Sequence, residues 1–146
     1  MRKTRVLVVD DQQSARITMC GLIEDLGAQV QTAEDGYQAI EGARNGSFDL
    51  AFIDIEMPGI NGIQTLRELL KLRPEMVAAM VTGYGEARLV KDALDEGAVA
   101  VLLKPFDPKE VSHLVYSINR RLDDNTDSDD PASNGPNTDP GGGTLL

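Results

Sequence analysis

The chain has little of what several kinds of protein scaffold require. Its 146 residues include one cysteine, one histidine and no tryptophan. Cys20 has no second cysteine to pair with and lacks the partner ligands of a zinc site, so we interpret it as a helix packing residue in a reducing compartment. The single histidine, His113, falls off the apolar side of a predicted helix and is given no chemical role. Disulfide-bonded and zinc-binding scaffolds are therefore excluded.

Long hydrophobic runs and an excess of basic residues are also missing. No run of about 18 apolar residues occurs, and the first three residues lead directly into a hydrophobic strand. We therefore expect no membrane span and no signal peptide, and we predict a cytoplasmic location. The formal net charge of −10 disfavours direct binding to nucleic acid, because phosphate backbones are bound by clustered Lys and Arg.

The negative charge is concentrated at the C-terminal end. Residues 123–146 contain six acidic and no basic residues, which leaves 18 acidic and 14 basic residues in residues 1–122. The segment has almost no apolar residues and is rich in Asp, Asn, Gly, Ser and Pro, so burial cannot offset its ordering entropy. We predict one folded domain in residues 1–122 and a disordered acidic tail or linker in residues 123–146. A native tail, a linker to an output domain and added residues are all compatible with this composition.

Within residues 1–122, five apolar segments alternate with five segments of helical periodicity. The predicted strands consist of residues 5–9, 28–33, 48 with 50–53, 76–81 and 99–103. Ser14 is expected to cap the first helix, Gly27 and Gly97 to end the first and fourth, and Leu94 to face inward on the fourth. Such alternation predicts an α/β fold with a doubly wound parallel sheet. In this flavodoxin-like class the strand order is 2-1-3-4-5, and ligands bind beyond the carboxyl ends of the strands.

Residues with useful chemistry follow four of the five predicted strands. Asp10 and Asp11 follow the first strand, Asp54 the third, Thr82 the fourth and Lys104 the fifth. These positions converge on one edge of the sheet, where the three carboxylates repel one another unless a cation lies among them. Oxygen ligands without a nearby His or Cys point to a hard divalent ion. Few protein ligands, with room for water and phosphate, favour Mg²⁺ over calcium.

A hydroxyl group and an ammonium group beside such an ion match the needs of an incoming phosphoryl group. The transition state of phosphoryl transfer carries negative charge on three oxygens, and Thr82 and Lys104 are suited to stabilise that charge. An aspartate with a pKa of about 3.9 is already ionised at neutral pH and needs no general base. Such a site can therefore take up a phosphoryl group without a histidine.

The motifs around these residues resemble the receiver domains of bacterial two-component systems. They are Asp10-Asp11, F-I-D-I-E-M-P-G-I-N-G around Asp54, V-T-G at Thr82 and L-L-K-P-F at Lys104. The resemblance covers residues 3–122. Each motif alone is weak evidence, but the combination is specific.

The resemblance implies a metal-binding role for four residues. Asp54 is the expected phosphoacceptor and, with Asp11, a direct ligand of the metal. The backbone carbonyl of Glu56 is the expected third protein ligand, and Asp10 is expected to act through a water molecule. Glu56 and Tyr84 each lie two residues beyond a site residue, at positions that tune the lifetime of the phosphoryl group in this family.

The resemblance also implies how the signal is received and passed on. Lys104 is expected to pair with the phosphoryl oxygens, Thr82 to move toward them as the switch, and Pro105 to fix the neighbouring loop. Val101 departs from the pattern, because many receivers carry Tyr or Phe there. The expected donor is a sensor histidine kinase or a histidine phosphotransfer protein. The expected target is a downstream protein or an output domain, with no direct role for nucleic acid or membrane.

A surface residue beside the acidic pair suggests where the donor docks. Ile17 falls away from the apolar stripe of the first helix and is expected to be exposed. We take it as a hypothetical part of the surface that binds a histidine kinase or phosphotransfer domain.

Three other functions are alternatives to the phosphorylation switch. A magnesium-dependent phosphatase of the haloacid dehalogenase type requires a second Asp two residues after its nucleophile, where this chain has Glu56. Flavodoxin needs a phosphate loop rich in Ser, Thr or Gly after the first strand, whereas residues 10–13 are Asp-Asp-Gln-Gln. A binding module that is never phosphorylated would not need all five site residues. We therefore expect no enzymatic activity beyond the chain's own phosphorylation and dephosphorylation.

Overall fold

The computed structural model describes residues 3–83, 85 and 87–127, with side chains described as far as Leu122. A parallel sheet of five strands, in the order β2-β1-β3-β4-β5, forms its centre. The strands are β1 (Arg5–Val9), β2 (Gln29–Ala33), β3 (Leu50–Asp54), β4 (Val77–Thr82) and β5 (Ala100–Leu103). The helices are α1 (Gln13–Asp25), α2 (Gly36–Asn45), α3 (Gly62–Leu72), α4 (Ala87–Asp95) and α5 (Pro108–Asp127). The predicted fold class and strand order are confirmed.

Both faces of the sheet are covered, which explains why its central strands are continuously apolar. Successive side chains of a strand point to opposite faces, so Val6 and Val8 pack against α1 and α5, whereas Leu7 and Val9 pack toward α2 and α3. Every residue of β3 is buried. Burial on both faces holds the carboxyl ends of β1 and β3 in fixed positions.

The ends of the helices are set by local hydrogen bonds. Asn61 begins α3 with a capping box, in which its side chain accepts from the Gln64 N–H at 2.9 Å and its own N–H donates to the Gln64 side chain at 3.0 Å. The predicted cap at Ser14 is wrong. Helix α1 begins at Gln13, with Gln12 in the N-cap position, so Ser14 lies inside the helix. The carboxylate of Asp10 accepts the N–H of Gln12 at 2.9 Å.

The two glycines predicted to end helices do so. Gly27 has a φ of 89° and Gly97 a φ of 115°, values in the left-handed region that favours glycine. The orientation predicted for Leu94 is wrong, because 46% of this residue is exposed and only Ala93 of α4 is buried. Helix α4 contacts β5, the edge strand of the sheet, where less apolar surface is available to cover.

The last helix extends beyond the predicted domain boundary. Helix α5 continues to Asp127, five residues past Leu122. A helix that has already formed can be extended without a new nucleation step. The rest of the predicted tail, residues 128–146, lies outside the described residues. Among the helices that are described, none combines the length and the apolar character needed to cross a membrane.

We predict that alanine substitutions at two glycines have opposite effects on stability. A Cβ atom at Gly62 would lie 2.1 Å from the carbonyl oxygen of Asp54 and 2.6 Å from the Cα of Ile55. These are backbone atoms that cannot easily move, so Gly62→Ala should lower the free energy of unfolding by about 1–3 kcal/mol. Gly21, exposed on α1, has no atom within 4 Å of such a Cβ, and Gly21→Ala should raise it by about 0.5–1 kcal/mol. Urea unfolding measures both changes, and the same sign for the two variants would contradict the packing argument.

Candidate functional site

The carboxyl ends of four neighbouring strands bring the site residues together. In the sheet, Asp54 pairs with Val81, and Thr82 pairs with Leu103, so that Thr82 and Lys104 end adjacent strands beside Asp54. Carboxylate oxygens of Asp10, Asp11 and Asp54 all lie within 4.8 Å of one another. The residues that end these strands therefore lie together at one edge of the sheet, as expected from the sequence.

Lys104 joins two of the three carboxylates. Its Nζ lies 2.9 Å from Oδ2 of Asp10 and 3.3 Å from Oδ2 of Asp54, and both aspartates are buried. Burial acts to lower the pKa of Lys104. The hydrogen bond to Asp10 and the negative charges of Asp54 and Asp10 outweigh this effect, so the net shift is upward. Lys104 therefore stays positively charged and offsets part of the negative charge of the cluster.

The surroundings of Asp54 oppose its ionisation. Burial, followed by the negative charge of Asp10, raises the pKa of Asp54 from an ordinary value of 3.8 to about 6, although Lys104 and the N–H of Glu56 act in the opposite direction. The Glu56 N–H donates to Oδ1 of Asp54 at 3.1 Å. At neutral pH most Asp54 is ionised, in surroundings that would favour a further positive charge.

The three carboxylates suit a hard divalent cation. Asp10 and Asp54 are buried, whereas Asp11 is exposed and leaves the cluster open to solvent. Within the described part of the chain, the cluster consists of oxygen donors alone, which is the ligand chemistry preferred by Mg²⁺ and calcium. The cluster could therefore hold a metal ion.

Thr82 and Glu56 form a contact that the sequence did not predict. Thr82 is buried, and its hydroxyl donates to Oε1 of Glu56 at 3.2 Å. The backbone N–H of Gly83 donates to the same oxygen at 3.4 Å. Glu56 was singled out for its backbone carbonyl and its position, but its side-chain direction depends on how the loop after β3 folds. Tyr84, the other residue expected to tune the site, lies outside the described residues.

Arg16 is a residue near the site that sequence reasoning missed. Its Nη1 donates to the backbone carbonyl of Asp10 at 2.7 Å, and its Nη2 lies 3.5 Å from Oε1 of Glu34. The guanidinium thus links the residues that follow β1 and β2. Nothing in the spacing of Arg16 and Asp10 indicates this contact, because it depends on how α1 is turned back against the end of β1.

A small open cavity of about 210 Å³ lies between α1 and the segment after β5. Three site residues, Asp10, Asp54 and Lys104, line it together with apolar side chains that include Ala15, Met19, Phe52 and Phe106. Ile17, on α1, is 63% exposed, as the sequence predicted.

The Lys104–Pro105 peptide bond is cis. Val101, at the position where an aromatic residue was expected, is partly buried against the core.

Comparison with known proteins gives consistent matches. Residues 6–116 match the family model of the response regulator receiver domain. The chemotaxis protein CheY of Thermotoga maritima is 30% identical over 117 residues, which cover 80% of this chain and 98% of that protein. The transcriptional regulatory protein ZraR of Klebsiella oxytoca is 36% identical over 102 residues, or 70% of this chain, but the match spans only 23% of the length of ZraR.

A solved structure agrees with these matches. The crystal structure of the CheX–CheY–BeF₃–Mg²⁺ complex from Borrelia burgdorferi contains a chain with a TM-score of 0.73 and 30% sequence identity. The similarity covers 79% of this chain and 88% of that chain.

We predict that Asp54→Asn stabilises the metal-free protein, and does so more at high pH. Below pH 3.8 the carboxyl is protonated in both folded and unfolded chains. Between pH 3.8 and about 6 only the unfolded chain ionises readily, so the wild type loses stability, and above about 6 the loss is complete. The neutral Asn avoids this loss, which is on the order of 1–3 kcal/mol.

Urea unfolding in EDTA at pH 4.5 and pH 8 tests this expectation. Glu75→Gln, which removes an exposed acid in the turn between α3 and β4, controls for the change in net charge. Equal gains for Asp54→Asn at the two pH values, or equal gains for the two variants at pH 8, would contradict the assignment of unfavourable ionisation to Asp54.

Proposed function

The chain belongs to the response regulator receiver domain family, and on this basis we propose that Asp54 accepts a phosphoryl group from a phosphohistidine of a partner protein in a reaction that uses Mg²⁺. The observation that carries the proposal is the meeting of Asp54 with the acidic pair and with Lys104 at one edge of the sheet. Members of this family are signalling proteins. The phosphorylated state is expected to alter protein contacts by shifting a conformational equilibrium.

The proposed transfer begins at the ionised carboxylate of Asp54. One of its oxygens forms a bond to phosphorus while the bond from phosphorus to the histidine nitrogen breaks. The bonding electron pair stays on that nitrogen, which is then protonated by water, and an acyl phosphate remains on Asp54. Lys104, whose Nζ is 3.3 Å from Asp54, would offset negative charge on the transferred oxygens.

The proposed metal ligands are those expected from the sequence. Asp11, Asp54 and the backbone carbonyl of Glu56 would hold Mg²⁺ directly, with Asp10 acting through water. When bound, the ion would supply positive charge to the carboxylates and to the phosphoryl oxygens. The carboxylate oxygens that lie within 4.8 Å of one another support this assignment.

The surroundings of Glu56 favour a switch over a phosphatase. A phosphatase would use this side chain as an acid-base catalyst, but its Oε1 accepts hydrogen bonds from Thr82 and Gly83. Turnover of a small phosphoester that is lost in Glu56→Gln would reverse this preference. We propose the cytoplasm as the location. The target would be a downstream protein or an output domain beyond the matched region, because receiver-like sequence makes up only 23% of ZraR.

We predict that incubation with phosphoramidate and Mg²⁺ adds one phosphoryl group to the wild-type protein and none to Asp54→Asn. The amide of Asn is not an ionised nucleophile, so it cannot form the acyl phosphate. Intact-mass spectrometry measures the added group, and hydroxylamine should remove it because an acyl phosphate is reactive.

Two controls make this experiment specific. Glu75→Gln should be phosphorylated as fast as the wild type, and EDTA should prevent phosphorylation of both. A mass gain that persists in Asp54→Asn, or one that resists hydroxylamine, would show that another residue is modified and would refute the proposal.

The donor is proposed to dock beside α1. Ile17 is 63% exposed on this helix, and the nearby cavity is lined by Ala15, Phe106 and Lys104. An apolar surface next to the phosphoacceptor can bring a phosphohistidine within reach of Asp54 while leaving the chemistry to the site residues.

We predict that Ile17→Ala slows transfer from a phosphorylated histidine kinase by about tenfold, the scale of losing an apolar anchor at an interface. The kinase is chosen from a purified panel as the one that phosphorylates the wild type fastest. Phosphorylation by phosphoramidate should not change, because Ile17 is outside the chemical site. Val99→Ala, at a 54% exposed residue before β5, is the matched control. Transfer by Ile17→Ala at the wild-type rate would eliminate this docking surface.

A further inference from the structure

Two hydrogen-bond donors at the end of β4 converge on one negatively charged oxygen. The hydroxyl of Thr82 and the backbone N–H of Gly83 both donate to Oε1 of Glu56, at 3.2 Å and 3.4 Å. Thr82 is fully buried, whereas Glu56 is exposed in the loop after β3. A hydroxyl and an amide N–H directed at one oxygen form an arrangement that stabilises negative charge. The end of β4 is therefore a small anion-binding position, and Glu56 fills it.

This anion-binding position is next to Asp54. Asp54 pairs with Val81 in the sheet, and the N–H of Ile55 donates to the carbonyl of Val81 at 2.9 Å. Glu56 itself connects the two places, since its N–H donates to Asp54 and its side chain accepts from Thr82. A phosphoryl group on Asp54 would bring new anionic oxygens into the surroundings of the Glu56 carboxylate, and like charges repel more strongly the closer they lie.

We propose that Oε1 of Glu56 occupies, in the unphosphorylated protein, the anion position at Thr82 and Gly83 that an oxygen of phosphorylated Asp54 takes. This inference rests on the proposed function of Asp54. Phosphorylation then exchanges one anion for another at the same two donors, and the Glu56 side chain is released to solvent. The two donors keep an anionic partner in both states, while the loops after β3 and β4 lose the link that Glu56 provides between them.

A competitor inside the protein lowers the apparent affinity for any anion that needs the same position. The test uses beryllofluoride, which stands in for a phosphoryl group, added to the full chain with Mg²⁺ and followed by thermal shift. Glu56→Ala should bind beryllofluoride about tenfold more tightly than the wild type, because a hydrogen-bonded charged competitor is gone. Glu56→Gln, which keeps an accepting oxygen without the charge, should fall between them. Both substitutions keep the backbone N–H of residue 56, which donates to Asp54.

Thr82 variants separate direct competition from a general effect of charge. In a Thr82→Ala background the gain from Glu56→Ala should shrink to about twofold, since one of the two shared donors has been removed. In a Thr82→Ser background, which keeps the hydroxyl, the gain should return to about tenfold. A gain of the same size in all backgrounds would mean that Glu56 acts only through its charge, and it would overturn the proposal.

The remaining outcomes are distinguishable. The Mg²⁺ affinity of each variant is measured without beryllofluoride, and a gain explained entirely by tighter Mg²⁺ binding would overturn the competitor role. If the wild type binds beryllofluoride but Glu56→Ala binds it no more tightly, the competitor role fails while the proposed function stands. If neither binds beryllofluoride and neither is phosphorylated by phosphoramidate, the proposed function fails as well.

Discussion

The crowding of three carboxylates around one ammonium group is the interaction on which the rest of the site depends. Asp10, Asp11 and Asp54 lie together at one edge of the sheet, and Lys104 contacts two of them. Burial and repulsion by Asp10 raise the pKa of Asp54 to about 6, so the folded protein holds this carboxylate in a state that its surroundings disfavour. Because the ionised carboxylates repel one another, the electrostatic energy of the site changes strongly when a cation binds or when the charge of Asp54 changes. A switch needs this property.

The fold supplies the energy that keeps these charges together. β1 and β3 are buried on both faces, and their side chains pack into two separate apolar clusters against helices on either side of the sheet. Each strand end is therefore fixed by packing that lies away from the site. The loops beyond the strand ends are joined by individual hydrogen bonds, such as those from Thr82 to Glu56 and from Arg16 to Asp10. Change at the site can thus be confined to loops while the sheet stays intact.

The regular elements were predictable because local patterns specify them. Apolar runs marked the buried strands, and Gly27 and Gly97 marked helix ends because a left-handed φ favours glycine. The two wrong predictions, the cap at Ser14 and the inward direction of Leu94, concern features that residues outside the local sequence pattern determine. Helix α1 begins at Gln13, behind the Gln12 N–H that Asp10 accepts, so Ser14 lies inside the helix. The edge position of β5 leaves Leu94 exposed despite its helical spacing.

The sequence by itself determined the fold class, the strand order expected for it, and which residues end the strands at the site. These follow from the two periodicities of helix and strand and from the rule that parallel strands share their carboxyl edge. Only the tertiary structure decided that Lys104 contacts Asp10 as well as Asp54, that Asp54 has a raised pKa, and that Glu56 accepts from Thr82. These features depend on side-chain direction, on burial and on the approach of loops that are distant in sequence. None of the three produces a repeating pattern in the sequence.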